Sequence, residues 1–360
     1  MERLDLSFFK GKKVFITGHT GFKGSWMCKI LKMYDADIMG YSLAAPTNPS
    51  LYEIANISSG IKSSSYDIRD LENLKKCVNA FQPEIIIHMA AQPIVRTSYE
   101  EPAYTFETNV MGTVNILESI RLCKSVKSVV IITTDKVYKN NEWQWGYREI
   151  DELNGYDPYS NSKSCAELVT SSYINSFFNE RGVAVSTVRA GNVIGGGDFA
   201  ADRIIPDCIK SAIKNEKIII RNPYSIRPYQ HVIEPLMAYL MIAEKQYKNS
   251  KLAGSYNIGP NDIDCIETGK LATIFCESWG GITWKNVNVG GPHEANFLKL
   301  DCSKIKNTFG WSSRWDIKKS IEEVTEWTKC YISGKDINEC MEKQIKDYLS
   351  EDNKDNSGKK

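Results

Sequence analysis

Two pairs of residues carry the chemistry this sequence can do. Asp135 and Lys136 stand side by side in TTDKVY, and Tyr159 and Lys163 are four residues apart in YSNSKSCAELV. Residues at that spacing share one face of a helix. A phenol, with a free pKa of about 10, becomes a base when cations beside it favour the phenolate. It then takes a hydroxyl proton as hydride leaves the same carbon. Alone, Tyr-x-x-x-Lys also occurs on solvated helix faces. Asp135 and Lys136 have a bland reading too, as a turn cap beside a solvated charge. The neighbouring sequence decides between these readings.

That context begins with ITGHTGFKGSW, where Gly18, Gly21 and Gly24 follow the apolar run KVFIT (13–17) and precede a helical pattern of Trp26, Met27, Ile30 and Leu31. Such a loop makes a tight turn and brings backbone N–H groups to a helix N-terminus, where a pyrophosphate is favoured. A dinucleotide is the expected ligand, with Gly18, Thr20, Gly21, Phe22, Lys23 and Gly24 lining it. The second apolar run ends GYSLAAPT, without the acid that often holds a ribose 2′-hydroxyl. Ser42 is the candidate there, and Asp67 and Ile68 in SYDIRD are candidates for the adenine edge. NAD is favoured over NADP.

These residues need elements to position them. KVFIT, ADIMGY (36–41), EIIIHMA (84–90) and SVVIITT (128–134) are short, rich in Val and Ile, and suit strands buried on both faces of a parallel sheet. Between them TNVMGTVNILESIRLC places Val110, Val114, Leu117 and Ile120 on one helical stripe. The alternation predicts a Rossmann-like, doubly wound α/β sheet. After residue 190 the segments are more broken. The expected division is a cofactor domain over 1–190, with a strand returning at GSYNIG (254–259). A smaller, mixed substrate domain covers 191–350, and a polar, disordered tail covers 351–360.

Composition narrows the class. A chain of 360 residues with a net charge of +1 offers no broad basic surface for nucleic acid or an anionic membrane. The opening MERLDLSFFKGKK carries charges every few residues and does not read as a signal peptide, and no apolar run is long enough for a membrane helix. Ten cysteines without a Cys-x-x-Cys pair read as reduced thiols of a cytoplasmic protein. His19, His88, His231 and His293 are too scattered to suggest a metal site.

Taken together, ITGHTGFKG, HMAAQP, TNVMGT, TTDKVY, YSNSK and RAGNVIGGGD resemble the extended short-chain dehydrogenase/reductase family, and within it the nucleotide-sugar 4,6-dehydratases. The resemblance runs from about residue 8 to 330 and is most specific in the insert KNNEWQWGYRE. It implies a Tyr159 base assisted by Thr134 and Lys163, and an Asp135–Lys136 pair for loss of water across C5–C6 of a 4-keto sugar. Many such enzymes carry Asp-Glu at that pair, so Lys136 departs from the pattern. Dehydratases of CDP-glucose and some of UDP-N-acetylhexosamines share Asp-Lys. Lys136 serves as base only if its pKa, ordinarily about 10.4, is pushed down by burial and nearby cations. Kept charged, it stabilises an enolate instead, and both roles stay open.

The resemblance also implies cofactor contacts at Ala90, Ala91, Gln92, Asn109 and Thr133, besides Tyr159 and Lys163. For the substrate it implies Arg96, Asn192, Arg203, Arg221, Arg227 and His231, with Gln230 beside the last. CDP-glucose is the implied substrate, a homodimer the implied assembly, and deoxysugar supply for a bacterial surface polysaccharide the implied role. Trp143 and Trp145 either shape the sugar pocket or belong to the core. An epimerase, another dehydratase and a catalytically silent binding protein are the competing readings.

Overall fold

The computed structural model describes residues 4–287 and 297–354. His293 and the tail beyond 354 lie outside the described residues. Seven strands form the main sheet: β1 (Lys13–Thr17), β2 (Asp37–Ser42), β3 (Lys62–Ser65), β4 (Ile85–His88), β5 (Ser128–Ile132), β6 (Ala184–Ala190) and β7 (Ser255–Ile258). Their spatial order is β7-β6-β5-β4-β1-β2-β3, every neighbour parallel. β4, β5 and β6 are buried along their whole length, as continuous Val/Ile runs require when helices cover both faces. Chain direction across the sheet reverses between β1 and β4. A crevice therefore opens at the carboxyl ends of these strands, where ligands bind in such folds.

The predicted strands all form, and GSYNIG does return to the sheet, beside β6. The first long helix differs from its predicted stripe. Helix Pro102–Phe106 passes through a π turn, Glu107–Met111, before helix Gly112–Leu122. The wider turn rotates the following side chains relative to a regular helix. Leu117 and Ile120 are buried as expected, but Val110 and Val114 are only half-buried, and Asn109, Thr113 and Ile116 take the inner face. The helix of the tyrosine motif, Pro158–Tyr173, ends in a second π turn, Ile174–Phe178.

Beyond residue 190, three short strand pairings and the helices Ile204–Ile213, Thr268–Trp279 and Ile317–Ile332 enclose a second apolar core around Ile205, Ile218, Phe275 and Ile321. Two later helices belong elsewhere. Ile233–Lys248 is buried almost throughout and packs on β5 and β6. Helix Ile337–Lys354 adds Met341, Ile345 and Tyr348 to the main core. Residues 351–354, expected in the disordered tail, are thus helical: the amphipathic face of the preceding turns carries the helix on.

Candidate active site

The glycine loop joins β1 to helix Phe22–Met33. Gly18 has φ +75°, and a Cβ there would lie 2.8 Å from the backbone nitrogen of Ala90. A Cβ at Gly24 would meet the Gly18 carbonyl oxygen at 2.2 Å. Gly21, by contrast, has ordinary extended backbone as the helix N-cap. Two glycines thus serve close backbone approach, and the helix start points its free N–H groups into the crevice, a cradle that fits a dinucleotide pyrophosphate. Gly24→Ala is expected to lose bound cofactor, because the loop must open to relieve the 2.2 Å clash. Nucleotide released on denaturation, quantified against wild type, checks this.

Polar strand ends brace the cradle. Thr17 Oγ1 lies 2.8 Å from His88 Nδ1 and accepts the N–H groups of Met89 and Ala90 at 3.1 Å. His88 Nε2 in turn lies 3.3 Å from Thr113 Oγ1. Burial holds His88 down at about 3, so it is neutral. Asn109 clamps Gln92, its Oδ1 accepting from the Gln92 N–H at 2.8 Å and its Nδ2 donating to the Gln92 carbonyl at 3.0 Å. The same Nδ2 donates to Ser162 on the tyrosine helix at 2.9 Å. Asn109 therefore positions the loop that holds Ala90, Ala91 and Gln92.

At the ribose end, Ser42 Oγ is 2.8 Å from Thr20 Oγ1, joining β2 to the glycine loop. Asp67 is already engaged: Arg69 holds its carboxylate at 2.7 Å and keeps its pKa below the usual range. Arg69 also pairs with Glu107 at 3.0 Å. Ile68 is buried, and its carbonyl accepts from Asn115 Nδ2 at 3.0 Å.

The catalytic candidates converge from two elements. β5 delivers Thr133, Thr134, Asp135 and Lys136 as it turns into a short 3-10 helix, and helix Pro158–Tyr173 brings Tyr159 and Lys163 against it. Thr134 Oγ1 donates to Asp135 Oδ1 at 3.0 Å. Lys136 Nζ reaches the same oxygen at 3.3 Å and Asn192 Oδ1 at 3.4 Å. Asp135 is 1% exposed, and its other oxygen has no hydrogen-bond partner among the described residues. A buried carboxylate oxygen without a partner is costly unless a ligand supplies one.

Lys163 Nζ donates to the Ile132 carbonyl at 3.2 Å. Burial and then the charge of Lys23 push its pKa down to about 7. Burial raises Tyr159 to about 12, against a hydrogen bond with Thr134 that lowers it. Lys23 is held down to about 8 by burial and Arg203, with Asp135 pulling the other way. Lys23, Lys163 and Arg203 gather three basic groups around Asp135 and Tyr159, a setting suited to a diphosphate.

The expected substrate residues fall into three groups. Arg96 and Arg221 both pair with Asp202, at 3.3 and 3.1 Å, and Arg203 pairs with Asp198 at 3.0 Å, which gathers three arginines on one rim. Arg227 is buried on the short strand Ile226–Pro228. His231 is a correction. It is fully buried between Trp26 and Trp315, with ring centroids at 6.1 and 4.9 Å, which places it in the core rather than on the surface of the cleft. Gln230, also buried, donates to the Ile258 carbonyl at 3.1 Å.

Trp143 stacks on Tyr147, with centroids 5.2 Å apart, and packs against the main core. Trp145 is 64% exposed. Both line a groove of about 540 Å³ with Arg148, Asp262, Asp301 and Lys306, whose lining includes neither Tyr159 nor Asp135. Among the described residues there is no cluster of His, Cys, Asp and Glu fit for a metal and no helix long and apolar enough to cross a membrane.

The sequence profile of the GDP-mannose 4,6-dehydratase family matches residues 15–324. The chain belongs to that family. It is 49% identical over 354 residues to the CDP-glucose 4,6-dehydratase of Salmonella typhimurium, covering 96% of this chain and 99% of that one. It is 28% identical over 283 residues to the dTDP-D-glucose 4,6-dehydratase of Dictyostelium discoideum, covering 72% of this chain and 61% of that one. Among solved structures, the dTDP-glucose 4,6-dehydratase of Streptomyces venezuelae with NAD bound superposes with a TM-score of 0.77, at 19% identity and with 91% and 99% of the two chains covered. For this family member, the fold is Rossmann-like and the paired Asp135–Lys136 and Tyr159–Lys163 occupy one cleft.

Proposed function

We propose that the protein is a CDP-glucose 4,6-dehydratase, converting CDP-D-glucose to CDP-4-keto-6-deoxy-D-glucose and water. The observation that carries the reading is the Asp135–Lys136 pair seated beside Tyr159 and Lys163, since hydride transfer alone does not need it. The 49% identity to a CDP-glucose 4,6-dehydratase supports the sugar nucleotide. NAD, when bound, supplies the hydride acceptor at C4 and the hydride donor at C6.

Tyr159 takes the C4 hydroxyl proton, with Thr134 holding the same oxygen and Lys163 stabilising the phenolate. The ketone at C4 then acidifies C5–H. Lys136 takes the C5 proton while Asp135 protonates the departing C6 hydroxyl, which leaves as water. Lys136 returns its proton to C5 as C6 is reduced, and the proton that Tyr159 took from the C4 hydroxyl replaces the one Asp135 gave to water, so every group of the chain ends as it began. Lys23, Arg203 and Arg227 hold phosphate oxygens, and Asn192 steadies Lys136.

The pairing of Arg69 with both Asp67 and Glu107, which occupies its guanidinium, supports NAD over NADP as the cofactor. Exposed Leu122 and Leu168 on two adjoining helices, with Met111 and Phe177 on the π turns that flank them, support a homodimer through that pair. The product suits the supply of deoxysugars in the cytoplasm.

The test is incubation with CDP-glucose, dTDP-glucose, GDP-mannose and UDP-N-acetylglucosamine in parallel, with loss of one water followed by mass spectrometry. CDP-glucose is expected to react, and the nucleotide released on denaturation to have the mass of NAD. Reaction of another sugar alone overturns the substrate, and no reaction with cofactor bound overturns the elimination chemistry.

A further inference from the structure

The helix that carries Tyr159 and Lys163 bears another charge one turn on, Glu167. It is 4% exposed and accepts four hydrogen bonds: Thr133 Oγ1 and Thr187 Oγ1 at 2.6 Å each, and Arg189 Nε and Nη2 at 3.0 and 2.9 Å. Arg189, 2% exposed, donates onward to the Tyr138 hydroxyl at 2.8 Å and the Glu149 carbonyl at 3.0 Å. The Tyr138 hydroxyl donates to Asn257 Oδ1 at 2.7 Å. Asn257 then ties the insert down, donating from its N–H to Glu149 Oε1 at 2.8 Å and from Nδ2 to the Tyr147 carbonyl at 2.7 Å.

One ion pair thus touches the tyrosine helix, β6, the insert and both ends of the loop 133–138, and reaches β7 through the Tyr138 hydroxyl. A buried ion pair is a poor way to gain stability, since desolvation offsets its attraction and well-packed apolar groups often do as well. An apolar pair, though, would leave the register of that loop unset. Directional bonds fix it, because Thr133 and Tyr138 bracket Thr134, Asp135 and Lys136.

We propose that the Glu167–Arg189 pair is a positioning device that sets the proton-transfer groups of the loop against Tyr159 and Lys163, and links them to the insert. The inference rests on the dehydratase reading for its kinetic consequence but not for its structural one. Two variants loosen opposite ends of the loop with little change of shape: Thr133→Val removes the bonds to Glu167 and to the Val188 carbonyl, and Tyr138→Phe removes those to Arg189 and Asn257. Glu167→Gln removes the hub charge.

In the cofactor-free protein, hydrogen–deuterium exchange at 134–138 is expected to quicken in all three while exchange across β4 and β5 stays at the wild-type rate. With CDP-glucose and cofactor, kcat is expected to fall about 10–100-fold, the scale of a misplacement near 1 Å, with KM within about twofold. Thr133→Ser, which keeps the hydroxyl, recovers most of that loss. Wild-type loop exchange and kcat in both Thr133→Val and Tyr138→Phe overturn the proposal, whether or not Glu167→Gln folds. If wild type itself fails to dehydrate the sugar, the dehydratase reading falls and the exchange arm still decides the positioning role.

Discussion

Tyr159→Phe is expected to lower the rate of CDP-glucose dehydration by about 10²–10⁴-fold, the usual contribution of a positioned acid or base. The ring stays in place, since Tyr159 is 9% exposed and Phe fills the same volume. Melting temperature and bound nucleotide should therefore match wild type. What is lost is the oxygen that receives the C4 proton. The single-turnover signature is specific: no reduced cofactor forms on mixing with sugar, because the block precedes hydride transfer. Reduced cofactor forming at the wild-type rate removes Tyr159 from the proposed role.

The electrostatics around that oxygen explain why one helix carries both residues. Burial is the largest cause that lifts Tyr159 to about 12 and, with the charge of Lys23, lowers Lys163 to about 7, so the free cleft tends toward a neutral phenol beside a neutral amine. Each charged form is costly alone, and the two are stabilised together. A cationic cofactor ring adds the charge that favours phenolate, which ties activation of the base to occupation of the site.

Much of this was legible in the sequence because it depends on local pattern. A strand, a glycine turn and an amphipathic helix at 13–33 specify a cradle, and continuous Val/Ile runs specify a two-sided sheet. Tyr159 and Lys163 share a face by helical geometry alone. Features set by packing across long separations were not legible. His231 follows a run of basic and polar residues and reads as a ligand, yet Trp26 and Trp315, brought from far along the chain, enclose it. Asp67 reads as an adenine contact, and the guanidinium of Arg69 that folds back onto its carboxylate was not foreseen. The π turns that tip Val110 and Val114 outward leave no periodic signature. Glu167 lies four places after Lys163 and Arg189 three before Asn192, and both look like ordinary charges until the sheet closes. Their one signal was a charge inside otherwise buried segments, and the same signal marks His88.

Asp135→Asn is expected to slow product formation by about 10²–10⁴-fold at a later stage than Tyr159→Phe does. The amide is isosteric and keeps an oxygen for Thr134 Oγ1, so C4 oxidation proceeds while the C6 hydroxyl lacks its proton donor. The first turnover should then accumulate reduced cofactor, with water loss delayed. Lys136 variants resolve the other half of the pair. Lys136→Met removes both charge and base, and should give the same accumulation with no exchange of C5–H into deuterated solvent. Lys136→Arg keeps the charge near Asp135 but cannot give up its proton in this range. A silent Lys136→Arg means that Lys136 takes the C5 proton. A Lys136→Arg enzyme close to wild type means that the cation stabilises the enolate, and the base must be sought among groups that face C5. Either way, because Lys136 Nζ contacts both Asp135 and Asn192, Asn192→Ala should shift the balance toward accumulation without touching the hydride step.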